Sequence, residues 1–109
     1  MERIAQIIKV RPEQIERYVE IHAAVWPEVL ATIAACNIKN YSIFLRQPEN
    51  LLFAYYEYHG TDFAADQAKM AADPKTQEWW EITIPMQEQL STVSEGEWWA
   101  GAEEVFHVE

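Results

Sequence analysis

The chain reads as β-α-β-β-α-β, an α+β fold in which one antiparallel four-stranded sheet is covered by helices on one face. Three observations predict it. Residues 12–36 carry the only strongly amphipathic helical pattern, residues 38–58 hold two strand-like runs around Pro48-Glu49-Asn50, and further strand-like runs lie near both ends, at 3–10 and 103–108. This order is the ferredoxin-like arrangement, the half-unit of a dimeric α/β barrel.

Each element has a local reason. Residues 3–10, Arg-Ile-Ala-Gln-Ile-Ile-Lys-Val, are rich in β-branched side chains. Pro12 suits a first helical position and opens a helix expected to reach Cys36, with a bend at Pro27 just beyond Trp26. Residues 38–46 alternate, with Tyr41, Ile43 and Leu45 on one face and Asn40, Ser42 and Phe44 on the other. Leu51 to Tyr58 return as the partner strand of a hairpin. A short helix over about 62–72 follows, and Asp73-Pro74 supplies cap and first position for a second helical piece carrying Trp79 and Trp80. Residues 91–97 form a polar loop, and Glu103 to Val108 are expected to close the sheet.

Composition bounds the function. A chain of 109 residues suits a single domain over residues 1–109 with one core, and 50% hydrophobic content excludes disorder. No apolar run approaches the ~20 residues of a membrane span and no leader pattern is visible, so a soluble, cytoplasmic protein without membrane partners is expected. The lone Cys36 allows no internal disulfide and reads as a packing residue. A net charge of −10 leaves no basic stripe for nucleic acid and disfavours anionic ligands. Three glycines without a phosphate-cradling pattern leave a small neutral molecule as the simplest partner.

His22 is the residue that stands out. At about 100° per position it falls near the centre of an apolar stripe formed by Ile15, Tyr18, Val19, Val25, Trp26, Val29, Leu30 and Ile33. A group titrating near neutrality then points inward, one turn from Tyr18 and one from Trp26. That suits a cavity in which protons are exchanged, and equally a histidine satisfied within a core. Tyr41, Trp79, Trp80 and the pair Trp98-Trp99 add rings able to stack on the C–H face of a sugar while their polar tips address its hydroxyls. Consecutive helical residues cannot both face one core, so one Trp of a pair packs inward while the other reaches a cavity or an interface. A sheet covered on one side only exposes its other face, and a second subunit is expected there.

Tyr18-x3-His22-x3-Trp26-Pro27, Asn40-Tyr41, Asn50-Leu51-Leu52-Phe53-Ala54, Trp79-Trp80 and Glu104-Val105-Phe106 together resemble the L-rhamnose mutarotase family, over essentially the whole chain. The resemblance implies a homodimeric ferredoxin-like protein that interconverts the α and β anomers of a 6-deoxy sugar with no cofactor and no metal. It places His22 at the family's proton donor, and Tyr18, Tyr41, Trp79 and Trp80 at its substrate-binding positions. Two departures bear on the sugar. Ala23 stands where the family commonly has Asn, and residues 94–101 look like relatives associated with L-fucose, so L-fucose or another 6-deoxy sugar is the alternative to L-rhamnose. Two readings of other classes are a haem-dependent dimeric α/β-barrel enzyme with His22 as axial ligand, and a sugar-binding module without catalysis. His22, His59 and His107 have no recognisable metal-site spacing.

Overall fold

The computed structural model describes residues 1–109 as a curled antiparallel sheet with four helices packed on one face. Strand β1 (Glu2–Val10) lies centrally, pairing with β3 (Leu51–Tyr58) from Glu2↔Tyr58 to Lys9↔Leu51. Strand β2 (Ile38–Arg46) flanks β3, and the hairpin turn between them holds Asn50 at φ 59°, a left-handed conformation that asparagine tolerates.

The expected long helix is two. After a 3-10 turn at Pro12–Gln14, α1 runs over Ile15–His22 and α2 over Pro27–Ala35. A residue preceding proline is pushed out of the helical region, and Trp26 is extended at ψ 134°. Pro27 therefore starts a helix where a bend within one was expected, and His22 is the last residue of α1. The stripe is also narrower than its periodicity suggests, since Val19 and Leu30 are exposed.

Helices α3 (Phe63–Ala72) and α4 (Pro74–Thr83) follow. Asp62 caps the first by accepting from the Ala65 N–H, and Asp73 caps the second by accepting from both the N–H and the hydroxyl of Thr76 at 2.9 Å.

The closing strand differs from expectation. The free edge of β1 is filled by two short pieces, β4 (Gln87–Glu88), pairing Val10↔Gln87, and β5 (Ala100–Ala102), pairing Ala5↔Ala102 to Ile7↔Ala100. Residues 103–108 are irregular, with Val105 89% exposed and Phe106 79%. Their β-rich composition reflects a preference for a half-buried pleated surface, and in this chain they have none to join.

The core has two parts. Ile8, Val10, Tyr18, Leu52 and Met86 form one, against which Ile15, Ile43 and Leu45 pack. Cys36, Ile38, Tyr56 and Met70 form the other, joined by Ile33, Phe63 and Trp80. No helix is long and apolar enough to cross a membrane.

Candidate active site

A cavity of about 300 Å³ opens between α1 and the helix-facing side of the sheet, with Tyr18, Val19, His22, Ile43 and Leu45 in its wall. That volume lies at the small end of ligand sites and suits one monosaccharide. The walls are almost wholly apolar, so the few polar groups dominate any recognition.

His22 is fixed from two directions. Its ring stacks on Tyr18 with centroids 4.0 Å apart and planes 23° from parallel, and Trp79 meets it edge-on at 5.3 Å. Its Nδ1 lies 2.7 Å from the Tyr18 carbonyl oxygen. A carbonyl only accepts, so Nδ1 carries the hydrogen and Nε2 is left with its lone pair. Burial pushes the imidazole pKa below its ordinary 6.5, and the Tyr18 carbonyl offsets part of that shift. At neutral pH the ring is predominantly a neutral base, held in one tautomer.

Tyr41 lies on this side of the sheet, next to a β-bulge. Lys39 pairs with Glu57, but the next matched pair is Ser42↔Tyr55, and Asn40 sits at φ 52° in between. Alternation alone sets Tyr41 with Ile43 and Leu45, and the extra residue brings Ile38 onto the same inner face. Its ring packs 5.2 Å from that of Tyr56. The residue exposes 40% of its surface, yet burial of the hydroxyl is the leading influence raising its pKa, followed by Tyr18 and Tyr56. Burial also raises the Tyr18 hydroxyl. Both phenols stay protonated at neutral pH and act as hydrogen-bond donors.

The tandem tryptophans part company. Trp79, only 7% exposed, stands behind His22 and also meets Trp26 edge-on at 5.2 Å. Trp80 is half-buried against the Cys36–Tyr56 part of the core. The structure thus links Tyr18, His22, Trp26 and Trp79 through ring contacts, while Tyr41 packs beside Tyr56 and Trp80 lies on the core part that holds Tyr56. Neither tryptophan is in the cavity wall itself.

Gln87 is a polar group of the site that sequence patterning missed. It is 5% exposed, donates from Nε2 to the Tyr18 hydroxyl at 3.2 Å, and accepts at Oε1 from Trp98 Nε1 at 2.7 Å. No motif flags it; the only signal was an uncharged amide close after Pro85. His59 lies elsewhere, bonded to Glu57 at 2.9 Å, and His107 sits by Glu104. Burial raises the Cys36 thiol, as fits a packing role.

Residues 3–108 match the family described as L-rhamnose mutarotase. The chain is 37% identical over 86 residues to an L-rhamnose mutarotase of Listeria monocytogenes serotype 4b, covering 79% of this chain and 80% of the relative. It is 32% identical to that of Oceanobacillus iheyensis over the full length of both. Among solved structures, an L-rhamnose mutarotase from Formosa agariphila superposes with a TM-score of 0.78 at 26% identity, covering all of both chains. Tetracenomycin F2 cyclase from Streptomyces glaucescens, at 15% identity and TM-score 0.72, covers 100% of this chain and 98% of its own and shares the fold.

Proposed function

The chain belongs to the L-rhamnose mutarotase family, and from that premise we propose that it interconverts the α and β anomers of L-rhamnose in the cavity beside His22. The observation that carries the mechanism is the state of His22: neutral, with Nδ1 held by the Tyr18 carbonyl and Nε2 left free.

Mutarotation moves one proton. Nε2 of His22 takes the proton of the anomeric hydroxyl; the O–H electron pair becomes the second bond of the carbonyl, and the C1–O5 bond breaks with its pair going to O5. The imidazolium then gives the proton to O5, leaving the open-chain aldehyde and a neutral histidine. Rotation about C1–C2 presents the other carbonyl face, and the same steps in reverse close the ring. Because burial lowers its pKa, the imidazolium is a stronger acid than free histidine and releases the proton readily. Every atom moved belongs to sugar or side chain, so the step needs no cofactor. Proton transfer supplies ~10²–10⁴-fold acceleration, enough for a reaction already proceeding unaided.

Tyr18 and Tyr41 donate hydrogen bonds to sugar oxygens, and Trp79 and Trp80 support the ring-binding surface. L-Fucose is a second substrate reading, favoured by one observation: Trp98, from the loop in which this chain resembles L-fucose-associated relatives, reaches Tyr18 through Gln87.

The working unit in this reading is a cytoplasmic homodimer. Phe44 and Phe53 face each other across β2 and β3 on the helix-free side of the sheet, 62% and 38% exposed. A second copy packed against that face removes both from water.

The proposal is tested by saturation-transfer NMR of L-rhamnose and L-fucose with catalytic protein. Exchange above the buffer rate supports catalysis, whereas binding without faster exchange would leave a non-catalytic sugar-binding module.

A further inference from the structure

Gln87 uses both ends of its amide, and the direction of those bonds is fixed. An indole nitrogen can only donate, so the Gln87 atom facing Trp98 Nε1 at 2.7 Å is the carbonyl oxygen. The atom 3.2 Å from the Tyr18 oxygen is then the NH2 group. Tyr18 therefore receives a hydrogen bond there, and its single hydroxyl proton is directed elsewhere. No side chain or carbonyl of the protein accepts that proton, and Tyr18 lines the cavity beside His22.

The loop carrying Trp98 is itself anchored. Gln89 Nε2 donates to the Glu97 carbonyl at 2.9 Å and to that of Trp98 at 3.3 Å, while Gln87 is held in β4 beside Val10. The indole is thus fixed from its backbone and from its ring.

We infer that Trp98, acting through Gln87, is a positioning residue that sets the polarity of the Tyr18 hydroxyl, so that Tyr18 presents a donor to the sugar. The ring oxygen of a pyranose carries no hydrogen and can be recognised only by a donor. A Tyr18 hydroxyl bonded the other way would leave that oxygen unmatched. This rests on the mutarotase reading and assigns to the loop after β4 a part in orienting the substrate. Without the indole N–H the Gln87 amide is free to turn, and its carbonyl then captures the Tyr18 proton.

The test compares the wild type with Trp98→Phe, Tyr18→Phe and the double variant. The readouts are L-rhamnose exchange below saturation and the Tyr18 titration followed by 13Cζ NMR. Trp98→Phe keeps a ring and removes the N–H. It should slow exchange about fivefold to tenfold in the wild-type background and less than twofold in the Tyr18→Phe background, since the two act through one hydroxyl. The bond from Gln87 lowers the Tyr18 pKa, so Trp98→Phe should raise it. Equal losses in both backgrounds, or an unmoved Tyr18 pKa, would overturn the relay. Should Trp98→Phe fail to fold, Gln87→Glu replaces it, its carboxylate accepting hydrogen bonds from both the Trp98 N–H and the Tyr18 hydroxyl; it should slow exchange about tenfold, and full activity would overturn the inference. A wild type without exchange would sink the mutarotase reading alone, because the Tyr18 titration decides the relay independently.

Discussion

The ring of His22 lies on the ring of Tyr18 with centroids 4.0 Å apart, and its Nδ1 hydrogen bonds the carbonyl of that same residue at 2.7 Å. One residue of α1 thus sets both the plane and the tautomer of the base one turn later.

The first prediction concerns protonation. The His22 pKa lies below its ordinary 6.5 because burial disfavours the cation. The unfolded chain therefore binds more protons between the two values, so this histidine adds stability above about 6.5 that is lost as pH falls through its folded pKa. Exchange should rise with pH across the same window and level off above it. 15N NMR should show a neutral Nδ1–H tautomer at pH 7.5; the Nε2–H tautomer, or a pKa above 6.5, would contradict the assignment.

The second concerns Trp79. It is buried against His22 and Trp26, so Trp79→Ala should cost about 3–5 kcal/mol of stability by urea denaturation. Trp79→Phe should fold and bind L-rhamnose more weakly. A fully stable Trp79→Ala protein would place this ring outside the core.

The third concerns the bulge. Asn40, at φ 52°, is the extra residue, and removing it pairs Tyr41 with Tyr56 between Lys39↔Glu57 and Ser42↔Tyr55, so Tyr41 stays on the inner face. The deletion should therefore bind L-rhamnose as the parent does, whereas Tyr41→Phe should weaken binding. Unchanged binding in Tyr41→Phe would separate Tyr41 from the site.

Much of this was legible in the sequence. The order of the first strand, the helices and the hairpin, the Asp73 cap and the inward His22 follow from short-range rules acting on adjacent residues. What was not legible depends on distant partners. The edge of β1 is filled by Gln87–Glu88 and Ala100–Ala102, segments of low strand preference that pair because an edge is open to them. Val105 and Phe106, with the better composition, stay outside. Gln87 escaped notice because a lone amide has no pattern; its meaning comes from Tyr18, 69 residues away in sequence. Pro27 predicts a bend from sequence, but its effect on Trp26 ends the helix outright.

The fourth prediction is dimerisation through the open face. Sedimentation at micromolar concentration should give twice the chain mass of 12.7 kDa. Phe44→Glu, which sets a charge in the centre of that face opposite Phe53, should yield a folded monomer. A wild-type monomer with full activity would refute the dimer.

The most direct test of the whole account measures L-rhamnose anomer exchange by saturation transfer for the wild type and His22→Gln side by side, with melting curves to verify folding. The account predicts wild-type exchange well above the buffer rate and a loss of at least about 10²-fold in a folded His22→Gln protein. A folded His22→Gln variant that exchanges L-rhamnose as fast as the wild type would contradict it.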